Sequence, residues 1–372
     1  MWSRFKYIEY PKEIRKNLIA REKKKRKEKI SKGRKALRVI LIVLLALILI
    51  AAGVFGSIWL RGRNNLHPND EFDLKAEGIG LSDDTAPVVH DSGKRIEYKG
   101  EIYQFNENIV SFALIGVDKE TLGTDYGKVG TGGQADTLAL VLYDTATGKI
   151  RVAVIPRDTM VEINTYDVEG GYIDIKEQQI CVAYAYGDGK ESSCQNTMVS
   201  INRLLMGIPV DYYLAMDMDG IPALNDAIGG VTLTCLETEG RFTAGETVTL
   251  RGEDADAYVR DRNMNKLDAD TARRARQKQY MEAFLAQTLE LIRHDFSLVT
   301  KLYNQAMPYV VTDITLDKVT YAATTALRNH VAIADYKTVP GTYVQGPKLA
   351  EYHVDKTALF EMILDLFYEK EL

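Results

Sequence analysis

Arg157 and Asp158 stand directly after VAVIP, residues 152–156. That run is apolar and β-branched, the pattern of a strand buried on both faces. Pro156 ends it, because proline cannot donate to a ladder. Open α/β sheets bind ligands just outside the carboxyl ends of their strands. An arginine at such an end offers a bidentate fork to an anion, and an adjacent aspartate can orient the fork or hold a metal. Other segments carry the same residue types. Asp118 closes IVSFALIGVD, residues 109–118, and Asp136 opens DTLALVLYD, residues 136–144. YVRDRN, 258–263, is followed by DADTARRARQ, 268–277. On a helix, Asp270, Arg273, Arg276 and Gln277 fall at i, i+3, i+6 and i+7, near one face. Arg260 and Arg262 point differently from each other on a helix, which leaves one of them able to reach a cleft. Several arginines with several carboxylates can hold a diphosphate and a divalent metal, the arginines forking onto phosphate oxygens and the carboxylates holding the metal. The competing reading is a solvated helix laced with ion pairs.

Other chemistries lack their patterns. There is no G-x-S-x-G, and GDGKES at 187–192 does not have Walker A spacing. His67, His90, His294, His330 and His353 form no metal-ligand spacing.

The elements that would position these residues mix strands and helices throughout, which predicts one α/β domain. RIEYKGEIYQF, 95–105, predicts a hairpin turning at Lys99–Gly100. The strands at 136–144 and 149–158 are joined by a short turn through Thr147–Gly148. Residues 119–135 are Gly-rich and polar, hence a loop. NTMVSINRLLM, 196–206, has helical spacing with Asn196 as its cap. Residues 211–235 read as strand, helix ended by Gly229–Gly230, and strand. Helices follow at 252–262, 270–293, 297–307 and 316–329, then a last strand at 331–341 and a closing helix at 356–369.

The net charge of −5 hides an asymmetry. Residues 1–38 carry 16 Lys/Arg against 4 Asp/Glu, a net of +12, so the remainder carries −17. Residues 39–60 are free of charge. At about 1.5 Å rise per residue they reach roughly 33 Å, enough to cross a bilayer. The flanking charges put the N-terminus inside and residues 61–372 outside. The organisation expected is therefore a basic cytoplasmic tail (1–38), an uncleaved transmembrane signal-anchor (39–60), a linker (61–93) and an extracytoplasmic domain (94–372). Anionic lipid and topology account for the basic tail, and no nucleic-acid partner is expected. A non-enzymatic regulator acting through that tail is a competing function. Cys181 and Cys194 share the exterior portion and are expected to pair as a disulfide. Cys235 is expected in the core.

Taken together, LIGVD (114–118), ADTLALV (135–141), IPRDT (155–159), AYAYG (183–187), GI-x-V-DYY (207–213), IGGV (228–231), YVRDR (258–262) and DTARRARQ (270–277) resemble the LytR–CpsA–Psr family, the cell envelope-related transcriptional attenuator domain. The resemblance implies a three-layer α-β-α domain with a central mixed sheet. It implies an enzyme moving a glycopolymer, teichoic acid or capsule-like, from a polyprenyl-diphosphate carrier to peptidoglycan at the membrane, with Mg²⁺ or Mn²⁺. By motif, Asp118 and Asp136 are the metal-side carboxylates. Arg157, Asp158, Arg260 and Arg262 are catalytic, and Asp270, Arg273, Arg276, Gln277, Gln179 and Gln134 contact substrate. Two positions depart from the family pattern. Gln134 stands where an arginine is usual and Gln179 where a lysine is usual, so the site carries less positive charge. A lipid-diphosphate hydrolase using the same residues is the alternative reaction. Arg157→Lys is expected to impair transfer, with Arg151→Lys on the same strand as a silent control.

Overall fold

The computed structural model describes residues 53, 56–64, 74, 86–119, 122, 129–130, 132–217, 219–261, 269–347 and 349–371. The chain divides into two units, Met1–Ile58 and Trp59–Leu372, and the fold that follows is that of the second. Among the described residues no helix is long and apolar enough to cross a membrane, and most of the 39–60 run lies outside them.

In chain order the strands are β1 (Val88–His90), β2 (Arg95–Tyr98), β3 (Glu101–Phe105), β4 (Ile109–Val117), β5 (Ala135–Asp144), β6 (Lys149–Ile155), β7 (Met160–Tyr166), β8 (Tyr172–Gln179), β9 (Tyr212–Met216), β10 (Val231–Thr234), β11 (Thr247–Leu250), β12 (Val310–Thr312), β13 (Ala332–Thr338), β14 (Gly341–Gln345), β15 (Ala350–Val354) and β16 (Tyr368–Lys370). The α-helices are α1 (Val182–Ala185), α2 (Glu191–Leu204), α3 (Gly220–Ala227), α4 (Glu253–Arg260), α5 (Ala269–His294), α6 (Leu298–Ala306), α7 (Leu316–Arg328) and α8 (Lys356–Phe367).

Six strands form a central mixed sheet in the order β12–β9–β4–β5–β6–β13. β9 runs parallel to β4, and β13 parallel to β6, while the β4–β5 and β5–β6 pairs are antiparallel. β4, β6, β9 and β13 therefore all end at one edge of the sheet, where β5 begins. The period-2 alternation of β4 and β5 sends Ala113, Ile115, Leu138, Leu140 and Leu142 to one face, where all are buried against α1, α2 and α8. The opposite face carries Phe112, Leu114, Ala139, Val141 and Val154, each only half-buried. Helices reach it too. Tyr143 donates to Thr325 of α7 at 3.1 Å, and Tyr212 packs with Tyr321. The sequence-predicted mixed α/β architecture is what the chain adopts.

A second core joins β10, β11, α4 and α5 around Val231, Leu250, Tyr258 and Tyr280. There α5 lays two glutamines along the open edge of β10. The Gln287 side chain accepts from the Thr232 amide and donates to its carbonyl, both at 3.0 Å, and Gln279 donates to the Thr234 carbonyl at 2.7 Å. The side-chain amides occupy the ladder positions a neighbouring strand would take.

Several boundaries differ from expectation. The Lys99–Gly100 hairpin forms, with both residues at positive φ. The stretch read as a linker already contains β1, which pairs with β2. α2 begins at Glu191 rather than at Asn196, because the Asp188 carboxylate accepts the Lys190 amide at 2.8 Å and organises the turn that launches the helix. Asn196 lies inside α2 and accepts the Tyr166 hydroxyl at 3.1 Å. β13 is not the last strand: the β14–β15 hairpin follows, and β16 returns to pair with β3. The Cys181–Cys194 disulfide is absent. Both are buried free thiols, and α1 with the start of α2 fills the stretch between them. Cys235 is a core residue, as expected.

Candidate active site

The edge where β4 and β6 end and β5 begins is the natural meeting point of the strand-end residues. Pro156 stops β6, and residues 156–159 turn. Thr159 closes the turn with both its amide, at 3.0 Å, and its hydroxyl, at 2.6 Å, on the Pro156 carbonyl. Neighbours satisfy the rest. Cys181 donates its amide to the Arg157 carbonyl at 3.2 Å, and Tyr352 to the Asp158 carbonyl at 2.9 Å. A turn with its carbonyls occupied holds its side chains in fixed directions.

From this turn the Arg157 guanidinium reaches across to β5. It pairs with the Asp136 carboxylate through one terminal nitrogen, and the other donates to the Gln134 side chain at 3.5 Å. Its Nε lies 3.7 Å from Asp158, which also accepts from Gln179 at 3.2 Å. Asp118 is brought alongside by its own backbone, whose amide donates to the Gln134 carbonyl at 3.3 Å. Asp118, Lys119, Gln134, Asp136 and Arg157 line one open cleft of about 520 Å³. Sequence reasoning did not single out Lys119. Its stem lies over Gly133, which has φ +87°, and a Cβ there would sit 2.9 Å from Lys119 Cγ. Gly132 is packed against Gly189, with a hypothetical Cβ 2.7 Å from the Gly189 Cα. The Gly-rich composition of this loop thus reflects close backbone approach as well as turning. Cys181 is a buried neighbour of Arg157, tied to it through the backbone. Burial pushes its thiol up to about 11, with the Arg157 charge opposing the rise.

Asp217 lies just past β9 on the same edge and is 4% exposed. Burial pushes its carboxyl up to about 6, although it accepts backbone N–H groups from Asp219, Gly220 and Leu122. Its Oδ1 finds no partner among the described residues. Leu122 belongs to the loop that carries Lys119, so this carboxylate ties β9 to the rim of the cleft.

The second group of predicted site residues is placed elsewhere. Arg260, at the end of α4, pairs with Asp256 at 3.4 Å on an exposed surface. Gln277 donates to the Val259 carbonyl at 3.2 Å. Arg276 is 1% exposed and does not present itself to a ligand. It donates to the Tyr258 carbonyl at 2.6 Å and to the Asp261 carbonyl, lies 3.1 Å from Glu237, and faces the Tyr258 ring. An arginine with its fork on two carbonyls and a half-buried carboxylate holds α4 to α5, which corrects the substrate contact expected of it. Arg273 is half-buried. Together with Arg274 it opposes the rise that burial imposes on the Tyr336 phenol of β13. Arg262 and the side chain of Asp270 lie outside the described residues.

A sheet-edge cleft with this order of strand-end carboxylates and arginine agrees with a known domain. The LytR_cpsA_psr family profile matches residues 84–366. This chain belongs to the LytR–CpsA–Psr family. Among relatives, the polyisoprenyl-teichoic acid–peptidoglycan teichoic acid transferase TagU of Halalkalibacterium halodurans is 34% identical over 194 residues, 50% of this chain and 57% of that protein. TagU of Bacillus subtilis (strain 168) is 26% identical over 294 residues, 76% of this chain and 85% of that one. The match spans little more than half the length of the first of these relatives. Solved structures share the LytR–CpsA–Psr fold. The crystal structure of Bacillus subtilis TagV superposes with a TM-score of 0.52 at 22% identity, covering 70% of this chain and 96% of that one. The Streptococcus agalactiae protein gbs0355 gives 0.55 at 22% identity, covering 71% and 91%.

Proposed function

We propose that this LytR–CpsA–Psr chain is a membrane-anchored phosphotransferase. It attaches a cell-wall glycopolymer, of teichoic-acid or capsule type, from a polyprenyl-diphosphate carrier to peptidoglycan. The observation that carries the reading is the Arg157 fork facing Asp136 and Asp118 in one cleft at the sheet edge. The relatives named as teichoic acid transferases support the polymer and the acceptor.

The chemistry follows from the residues. The carrier diphosphate takes the Arg157 fork, with Lys119 as a second cation on the rim. Asp118 and Asp136 suit Mg²⁺ or Mn²⁺, because Mg²⁺ is bound through one or two carboxylates with substrate phosphates supplying further ligands. When bound, the metal adds positive charge against the phosphate oxygens. A sugar hydroxyl of the acceptor bonds to the phosphorus nearest the polymer. The bridging P–O bond breaks, its electron pair stays on the lipid phosphate, and Asp158 receives the hydroxyl proton. Arg157 stabilises the charge that develops on the phosphoryl oxygens. The half-buried apolar face of the central sheet, with Leu114, Val141 and Val154, supplies a surface compatible with the lipid chain. Residues 39–60 hold the enzyme at the bilayer that contains its donor.

The test is transfer of a labelled glycan from a synthetic lipid diphosphate to peptidoglycan. Arg157→Lys keeps the charge and loses the fork. Arg151 is not a silent control, because it donates to the Leu366 carbonyl at 2.9 Å and ties β6 to α8. The exposed Lys149 replaces it, as Lys149→Ala. Wild-type transfer by Arg157→Lys sinks the reading, and lipid release that is equal with and without acceptor makes the chain a hydrolase instead.

A further inference from the structure

The donor residues occupy one side of Arg157. The other side, beyond Asp158, is walled by a hairpin that the proposed chemistry has not used. β14 and β15 pair in register, Tyr343 opposite Tyr352. Tyr352 is buried and fastened to the site. Its amide donates to the Asp158 carbonyl at 2.9 Å, its hydroxyl donates to the Val339 carbonyl at 2.7 Å, and it bridges Thr159 in parallel. Gln179 links the same two parts, donating to Asp158 at 3.2 Å and to the Ala350 carbonyl at 2.7 Å. On this fixed base sits Tyr343. Its ring centre is 4.9 Å from that of Tyr352 in edge-to-face contact, yet the residue is 61% exposed.

An exposed tyrosine held by a buried one, one ring contact and one hydrogen bond from Asp158, is an aromatic shelf rather than a piece of core. Such rings offer rigid apolar area with a polar tip at low conformational cost.

We infer that the β14–β15 hairpin is the acceptor-binding surface, with Tyr343 stacking on a sugar ring of the glycan strand. One feature selects this occupant: through the Tyr352 amide and the Gln179 side chain the surface is continuous with Asp158, where an incoming hydroxyl must arrive. The inference rests on the transferase reading for the identity of the acceptor as peptidoglycan.

The experiment uses full-length protein in detergent, a synthetic lipid-diphosphate glycan as donor, and purified peptidoglycan as acceptor. Tyr343→Ala should raise the acceptor KM about tenfold, the equivalent of one lost aromatic contact, and leave the donor KM unchanged. Tyr343→Phe keeps the ring and should stay near wild type. A second measurement is co-sedimentation with insoluble peptidoglycan in the absence of donor. There, wild type should pellet and Tyr343→Ala should stay in solution. An unchanged acceptor KM in Tyr343→Ala overturns the inference, as does a Tyr343→Ala defect in pelleting with anionic lipid vesicles instead of peptidoglycan. Wild type that cleaves the donor but ignores peptidoglycan removes the acceptor surface and leaves the carrier chemistry intact. Wild type that binds peptidoglycan through Tyr343 but never turns over the donor does the reverse.

Discussion

Arg157 stands on a turn at the sheet edge, part of its surface open, with two carboxylates and one side-chain amide within reach. Arg276 lies under α4, 1% exposed, committed to two backbone carbonyls, a glutamate and the face of a tyrosine. The residue type is the same and so is the local company of acidic and basic neighbours. The difference is what the fork meets. Carbonyls at the end of a helix cannot be exchanged for a ligand without unfolding it, whereas the Asp136 and Gln134 side chains can rotate away and leave the Arg157 fork open. A guanidinium is available for chemistry when its partners are side chains with something else to do.

The largest effect expected from this contrast is on stability. Arg276→Ala removes the donor to two carbonyls and the cation nearest the half-buried Glu237. It should cost about 2–4 kcal/mol, chiefly from the carbonyls left without a donor, read as a large drop in the urea midpoint. A mild shift would mean that α4 and α5 hold together without it, and the contrast would dissolve. Next comes Arg157→Lys. Its melting curve should match wild type while turnover falls roughly 10²-fold, as on loss of one preorganised donor. Equal losses of stability and activity would place Arg157 with Arg276.

Asp217 tests whether a buried group at the edge can also belong to the fold. Burial raises its carboxyl to about 6, above the unfolded value of about 3.9. The protonated form is thus favoured in the folded state. The stability it lends is full below about pH 4 and is lost as pH rises through about 6. Wild type should therefore weaken by on the order of 2 kcal/mol between pH 4 and 7 relative to Asp217→Asn, which stays neutral. Melts of both proteins across that window give the answer, and parallel curves would mean that Asp217 ionises freely. The smallest effect is expected from Gln134→Arg. A second guanidinium beside Arg157 should lower the donor KM a few-fold, about 1 kcal/mol. No change would show that Lys119 already meets the phosphate's need for charge.

The strands that build the site were legible because they are buried: VAVIP, LIGVD and DTLALVLYD carry the apolar pattern that a central sheet imposes. The three strand-end residues Asp118, Asp136 and Arg157 followed from that pattern and do meet in one cleft. The hairpins β7–β8 and β14–β15 were missed because much of both is solvent-facing, so GTYVQGPKLAEYHV shows no hydrophobic alternation. Arg276 was misread for a different reason. Spacing on α5 says which residues share a face, not what that face touches, and its partner Glu237 belongs to a distant loop. The cysteines fared likewise, since their separation suits a closed loop only if no helix forms between them.

The last strand has a consequence for how the molecule assembles. β16 pairs with β3, and the Tyr368 hydroxyl bonds the Gly93 carbonyl, a contact spanning 275 residues. Arg151 likewise reaches Leu366 across 215 residues. Such pairings add loop-closure entropy to the folding barrier and slow the search for the native state. Until the final residues arrive, β3 has an open edge, a template for association with other chains. The β16 segment therefore works as a closing clasp. A chain cut short before Tyr368 keeps every residue of the cleft, yet lacks the strand that seals its first sheet.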